Sequence, residues 1–269
     1  VAFSDEEVER YARHLVLREV GGPGQQRLKA ARVLLIGAGG LGSAAAPMLA
    51  AAGVGVLGLV DHDVVSLSNL QRQTLYATAD VGRLKVEAAA EHLHAINPEI
   101  RLVPQAVALT ADNAAELVRG YDLVLDGTDD FAVRFAVNAA CLAQGKILVS
   151  GAIERWTGQV GVFAAGLTRG RPAAERQPCY RCLTPEIPPG AETCARVGVI
   201  GALGGVIGAM MALEAVKLIT GAGEPLTGRL LIYDALAGET RTVRLSADPE
   251  CPECGGAISA ALSSGASPA

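Results

Sequence analysis

Along the chain, short β-branched apolar runs alternate with longer stretches of helical periodicity. Residues 32–36 and 55–60 read as strands, with 40–52 as the helix between them. A helix over 83–96 ends at Asn97-Pro98, because proline cannot donate to the preceding turn. Strand 100–105, helix 111–119, strand 122–126, helix 131–144 and strand 146–150 complete the series. This alternation predicts an α/β fold, a Rossmann-like doubly wound sheet whose strands are mainly parallel. Ahead of it, Ser4-Asp5-Glu6-Glu7 spells a capping box that opens a charged helix over about 4–19.

The pattern changes after Gly151. One more apolar strand, 157–164, precedes a Pro-, Gly- and Arg-rich stretch from 165 to 196 that has no periodicity. A glycine-studded helix over 197–220 follows, then strands 228–234 and 239–245, which Gly238 makes a plausible hairpin. Antiparallel strands are therefore expected to extend the parallel sheet.

The 269 residues are half hydrophobic with only ten aromatics, so the core must be built from Ala, Val, Leu and Ile packed around 32 glycines. The net charge of −5 and the lack of a basic cluster exclude nucleic acid as an expected partner. Two uncharged runs, 33–60 and 197–213, have the composition of a membrane span. The first carries seven glycines and Pro47 in strand–turn–helix order, and a buried α/β core accounts for both. The N-terminus lacks the basic and apolar segments of a signal peptide, so a cytoplasmic protein with no membrane partner is expected.

Candidate chemistry begins with VLLIGAGGLG, in which Gly37, Gly39 and Gly42 form a G-x-G-x-x-G loop between strand and helix. Such a loop brings backbone N–H groups and a helix N-terminus to an anion. Asp61 ends the second strand, where an acidic side chain takes ribose hydroxyls. On these residues alone an NAD-dependent oxidoreductase fits as well. The next segment, DHDVVSLSNLQRQ, adds Asn69, Arg72 and Gln73, and Lys85 opens the next helix. Lysine is scarce in this chain, four against nineteen arginines, and no Walker A sequence occurs. Two cations at ~4 Å from a triphosphate, at an effective dielectric of ~20, are each worth about 4 kcal/mol before desolvation. The ligand is read as ATP. Strand 122–126 then ends in Gly127-Thr128-Asp129-Asp130 at the carboxyl edge of the sheet, where Asp129 can hold Mg²⁺ bridging phosphates. Capping of helix 131–144 by Thr128 or Asp130 would leave Asp129 free for that metal.

The cysteines divide into three sets. Cys179-x-x-Cys182 and Cys251-x-x-Cys254 have the spacing of a tetrahedral Cys₄ zinc site, structural because four thiolates leave no open position. Cys194 lies beside Arg196 just before helix 197–220, and both features favour a thiolate, so it is a candidate catalytic residue against the alternative of a loop thiol with no duty. Cys141 falls on the apolar face of helix 131–144 and reads as core.

Taken together and in order, GAGGLG, DHDVVSLSNLQRQ, the lysine at 85, GTDD, PCYRC, ETCARVGVIG and CPEC resemble the MoeB/ThiF/HesA family of ubiquitin-activating-type adenylyltransferases, most closely its MoeB branch. The resemblance covers residues 5–255. It implies that the enzyme uses MgATP to adenylate the C-terminal Gly-Gly carboxylate of a small ubiquitin-like β-grasp sulfur carrier and releases pyrophosphate. In MoeB that acceptor is the small subunit of molybdopterin synthase; in ThiF-like members it serves thiamin or cysteine synthesis. Carried over, Gly40 lies in the nucleotide loop, Asp61 takes the ribose, Asn69, Arg72, Gln73 and Lys85 surround the phosphates, and Asp129 is the metal carboxylate. Arg13 in ERYARHLVL is similar to an arginine that enters the site of a partner subunit, which implies a homodimer. Family members differ on whether the cysteine matching Cys194 links covalently to the carrier, transfers sulfur or is dispensable. Where this chain has Asp130 the family commonly has Asn.

The resemblance further implies a single adenylation domain over 1–255, with an N-terminal helical arm (1–30), a nucleotide-binding part (31–150) and a partner-binding and zinc part (151–255), before a flexible tail (256–269). Some members append a rhodanese domain. This chain ends at 269 without one, so a separate protein is expected to donate sulfur. Besides the oxidoreductase, a non-enzymatic scaffold for sulfur carriers is an alternative that turnover would distinguish.

Overall fold

The structure, a computed structural model, describes residues 3–188 and 197–255. Among them one eight-stranded sheet runs through the chain: β1 (Arg32–Ile36), β2 (Val56–Val60), β3 (Arg101–Gln105), β4 (Leu123–Asp126), β5 (Ile147–Glu154), β6 (Thr157–Phe163), β7 (Arg229–Asp234) and β8 (Glu239–Arg244), in the order β3-β2-β1-β4-β5-β6-β7-β8. The first five in that order pair in parallel and the last three antiparallel. The expected doubly wound sheet with antiparallel extension is therefore the observed one.

Crossover helices cover both faces of the parallel half. α4 (Gly42–Ala51) joins β1 to β2, α5 (Lys85–Ile96) joins β2 to β3, α6 (Ala114–Arg119) joins β3 to β4, and α7 (Phe131–Gln144) joins β4 to β5. One apolar layer gathers Val33, Leu35, Leu57, Leu59 and Val149 against Leu49 and Leu93. The other gathers Leu34, Ile36, Val124 and Leu148 against Val118 and Val137. Alternate side chains of each strand feed opposite layers, as a strand buried on both faces requires. The 33–60 run thus forms β1-α4-β2. The long apolar helix starts at Gly201, four residues later than its pattern suggests. It is long and apolar enough to cross a membrane, but it packs on α4, β5 and β6.

Two expectations are corrected and one helix is added. The helix over 4–19 is two short ones, α1 (Asp5–Arg10) with the expected Ser4/Glu7 capping box and α2 (Ala12–Leu15). They part at Tyr11, which is buried, and whose hydroxyl accepts from the Asn97 amide at 2.9 Å. A further helix, α3 (Gly21–Ala30), forms from GGPGQQRLKA, a start that local propensity disfavours. Tertiary contact holds it: Leu28 is fully buried, and Gln25 donates to the Ala52 carbonyl at 2.8 Å. Finally, β5 does not stop near Gly151 but continues to Glu154 and turns at Arg155 and Trp156 into β6. At Gly151 a Cβ would lie 2.3 Å from the Met211 sulfur, so the glycine is there to admit the long helix and not to end the strand. The aperiodic stretch after 165 includes a short helix, α8 (Tyr180–Leu183), and the long helix, α9, spans Gly201–Thr220.

Candidate active site

At the carboxyl ends of β1, β2 and β4 the chain encloses a cavity of about 380 Å³. The glycine loop forms its floor. Gly37 has φ +85°, a left-handed conformation closed to most side chains, and a Cβ at Gly42 would lie 1.9 Å from the Gly37 carbonyl oxygen. Gly39 and Gly40 face the open space, with the Arg72 Cδ 3.6 Å from where a Gly40 Cβ would be. From below, α9 closes on the loop through its own glycines. A Cβ at Gly204 would lie 2.8 Å from the Gly40 carbonyl, and one at Gly208 would lie 2.6 Å from that of Leu41. Sequence reading saw a glycine-studded helix without a reason for it; residues 201, 204 and 208 share one helix face, and that spacing was the available signal.

One wall comes from the segment after β2. Asp61 accepts from the backbone N–H of Ala38 and of Asp63, each at 2.8 Å, which ties the end of β2 to the glycine loop. Lys85, nearly buried at the start of α5, reaches Asp63 at 2.7 Å and Asp61 at 3.9 Å. Burial opposes ionisation of Asp63, but the hydrogen bond and charge of Lys85, helped by His62, hold its carboxyl below the ordinary range. Asn69 accepts from the Ser66 N–H at 3.2 Å, and its carbonyl accepts from the N–H groups of Arg72 and Gln73. Arg72 donates to the Ser68 carbonyl at 3.2 Å; Gln73 is buried and its amide oxygen lacks a partner among the described residues. The fully buried Leu57 and Leu59 of β2 anchor this wall, while Tyr76 donates to the Ala38 carbonyl at 2.8 Å. Burial, with the charges of Asp61 and Asp80, pushes the Tyr76 hydroxyl well above its usual pKa.

The opposite wall is the turn after β4. Asp130 is the N-cap of α7 and accepts from Ala132 at 2.7 Å and Val133 at 3.1 Å. Asn and Asp are equivalent caps, which accounts for the departure at this position. Thr128 donates its hydroxyl and N–H to the buried Asp126. Asp129 is exposed to the cavity with no hydrogen-bond partner among the described residues.

Gly40, Asp61, Asn69, Arg72, Gln73, Lys85, Asp129 and Asp130 therefore line one cavity. Arg13 does not line it; it is exposed on α2. Cys194 and the tail 256–269 lie outside the described residues. Sequence reading missed Asp63, the close partner of Lys85, although it sits inside the quoted DHDVV segment. It also missed Arg134, a buried residue one helical turn after Asp130.

The four zinc-spaced cysteines meet between α8 and the C-terminal end of the described chain. Their sulfurs lie within 4.8 Å of one another, with Cys179–Cys182 at 4.0 Å, Cys179–Cys251 at 3.6 Å and Cys182–Cys254 at 3.4 Å. Tetrahedral zinc with bonds of ~2.3 Å requires sulfurs ~3.8 Å apart, so the donor set fits the metal. Hydrogen bonds from Cys179 and Cys254, together with the Asp248 N–H, draw the Cys182 thiol well below its usual pKa, while hydrogen bonds to Cys182 and Cys254, with burial, hold the Cys179 thiol up. Cys141 is buried in the core, and burial raises its thiol, as its apolar position predicts.

The chain matches the ThiF family over residues 11–253. It is 47% identical over 255 residues to the sulfur carrier protein adenylyltransferase of Thermus thermophilus, covering 94% of this chain and 93% of that protein. It is 46% identical over 253 residues to the molybdopterin-synthase adenylyltransferase of Escherichia coli, covering 94% and 98%. The probable adenylyltransferase/sulfurtransferase MoeZ of Mycobacterium tuberculosis is 49% identical over 254 residues, and this chain spans 64% of that longer protein. Among solved structures, E. coli MccB with MccA-N7isoASN superposes with a TM-score of 0.79 at 22% identity, over 92% of this chain and 75% of that one, a likeness of fold. On the full-length matches and on the family's own span, this chain belongs to the ThiF family.

Proposed function

We propose that the protein is an ATP-dependent adenylyltransferase that activates the C-terminal Gly-Gly carboxylate of a ubiquitin-like sulfur carrier and releases pyrophosphate. The observation that carries this reading is the convergence of Arg72, Lys85 and Asp129 on one cavity floored by a glycine loop. The carrier's carboxylate is already ionised at neutral pH, so no general base is needed for attack on the α-phosphorus. Arg72 and Lys85 stabilise the negative charge that develops on the phosphates, and the Asp61 carboxylate takes the ribose. Asp129 would hold Mg²⁺, which supplies charge neutralisation to the phosphates when bound. Lys85 is held by Asp63, so its ammonium is oriented before the nucleotide arrives. Arg13, exposed and outside its own cavity, suits a role in the crevice of a second copy.

The small subunit of molybdopterin synthase is the proposed acceptor, on the full-length similarity to the E. coli adenylyltransferase named for it. A thiamin- or cysteine-pathway carrier is the second reading, favoured by the equally long match to the T. thermophilus protein named only for a sulfur carrier. A cytoplasmic setting, where thiols stay reduced, suits a four-thiolate zinc site. The NAD-dependent alternative leaves the Arg72, Lys85 and Asp129 convergence without a purpose.

ATP–pyrophosphate exchange in the presence of each intact carrier tests the proposal. Exchange is expected with one carrier and is expected to fall by two orders of magnitude or more, roughly, in Arg72→Ala. Full exchange in that variant removes Arg72 from the chemistry, and exchange with no carrier at all sinks the reaction.

A further inference from the structure

The cavity wall that bears Asp129 is fixed by one buried cation that belongs to the same wall. Arg134 lies in the first turn of α7, almost wholly buried. Its Nη2 donates to the Thr128 carbonyl and, at 3.1 Å, to the Gly151 carbonyl, while Nη1 donates to the Tyr180 hydroxyl at 3.2 Å. The guanidinium also lies over the Phe131 and Tyr180 rings, each 5.9 Å from its carbon to the ring centre. The Thr128 carbonyl belongs to the peptide unit that leads into Asp129, so holding it sets the direction from which the Asp129 side chain leaves the backbone. The other restraints on the turn, Asp126 on Thr128 and the Asp130 cap, act on its neighbours. Tyr180 itself is held through its N–H by Asn138 at 2.8 Å and directly follows Cys179 of the zinc cluster.

We infer that Arg134 is a positioning residue for the magnesium carboxylate Asp129, acting through the Thr128 carbonyl and braced by Tyr180 of the zinc knuckle. The inference rests on the adenylation reading and names how its metal carboxylate is held. Groups that orient a metal ligand typically cost about ten- to a hundred-fold in metal affinity when removed. A residue that merely stabilised the fold would weaken every ligand alike.

Calorimetric binding of MgATP, and of ATP in chelator-free buffer with no divalent cation added, to the zinc-loaded protein separates the two roles. Arg134→Lys is expected to weaken MgATP binding about ten-fold or more and to leave metal-free ATP binding unchanged. Asp129→Asn is expected to do the same, and the double variant to be no weaker than Asp129→Asn alone, because the two act as a unit. Equal weakening of both nucleotide forms in Arg134→Lys, or full additivity with Asp129→Asn, overturns the positioning role. Tyr180→Phe keeps the ring and the fold while removing the hydroxyl; it is expected to weaken MgATP selectively by a smaller factor, and unchanged affinity there overturns the brace. If the wild type binds neither nucleotide form, the adenylation reading fails; if it binds MgATP normally in Asp129→Asn, the metal role of Asp129 fails.

Discussion

The two halves of the sheet are stabilised by different means. Every residue of β4 is buried, whereas every residue of β8 is exposed. In the parallel half β1, β2 and β4 are covered on both faces, and each fully buried Leu, Ile or Val contributes about 1.5–3 kcal/mol, so apolar burial alone can hold it. That rigidity lets the strand ends carry polar groups to the rim of the cavity, as at Asp61 and the Gly127–Asp130 turn. The antiparallel half has α9 on one face and an outer strand with little to bury. Its C-terminal end is instead gathered with α8 by four sulfurs. Where hydrophobic burial is thin, four sulfurs placed to hold a metal gather the segments instead.

The largest test of this contrast removes that fastening. Cys251→Ser or a strong chelator is expected to lower stability by on the order of 10 kcal/mol in apparent terms at most. Hydrogen exchange should then show protection lost first at 176–183 and 229–254 while β1, β2 and β4 stay protected. Equal loss across the sheet would mean that the two halves do not differ in this way.

The next test strikes the parallel half where backbone meets backbone. Gly42→Ala places a methyl against the Gly37 carbonyl and is expected to cost about 3 kcal/mol or more in denaturant unfolding. Gly82→Ala, at φ +93° with open space around it, should cost about 1–2 kcal/mol from strain alone. Similar costs at both positions would remove close packing as the reason for Gly42.

Lys85→Met keeps the stem of the side chain and deletes its charge, leaving Asp63 without its close partner. Since half of the Asp63 side chain is exposed, the expected loss in stability is only about 1 kcal/mol, against near-complete loss of pyrophosphate exchange. A stability loss as large as that of Gly42→Ala would mark Lys85 as structural.

The smallest effect is acid sensitivity. Glu7, Asp63 and Asp80 all have carboxyls held below their ordinary values in the fold. For Asp80 the Ala77 N–H leads, outweighing burial with help from His92 and Arg83; for Glu7, Lys29 and Ser4 overcome burial. A depressed carboxyl binds protons more readily when unfolded. Its stabilising contribution is therefore present above the ordinary carboxylate range, near pH 4, and lost as pH falls through the folded value. Melting temperature should decline below about pH 4 and decline less in Asp80→Asn, by on the order of 2 °C. An identical acid profile in that variant would deny Asp80 its share.

The strand–helix alternation, the glycine loop, the acidic end of β2 and the paired cysteines were legible in the chain because each depends on local period or local spacing. Helix 131–144 was read to the residue: its pattern is strongly amphipathic, Asp130 caps it, and Gly145 ends it in the left-handed conformation. Features that depend on distant partners were not legible. α3 forms against its own glycine-rich sequence because Leu28 and Gln25 find burial and a carbonyl elsewhere in the chain. β5 passes through Gly151 because α9 needs that space. Lys85 finds Asp63, and Arg134 finds Thr128, Gly151 and Tyr180, through contacts that no spacing announces. Local propensity and period are properties of neighbouring residues, whereas close packing and buried hydrogen bonds are settled only when the sheet brings separate segments together.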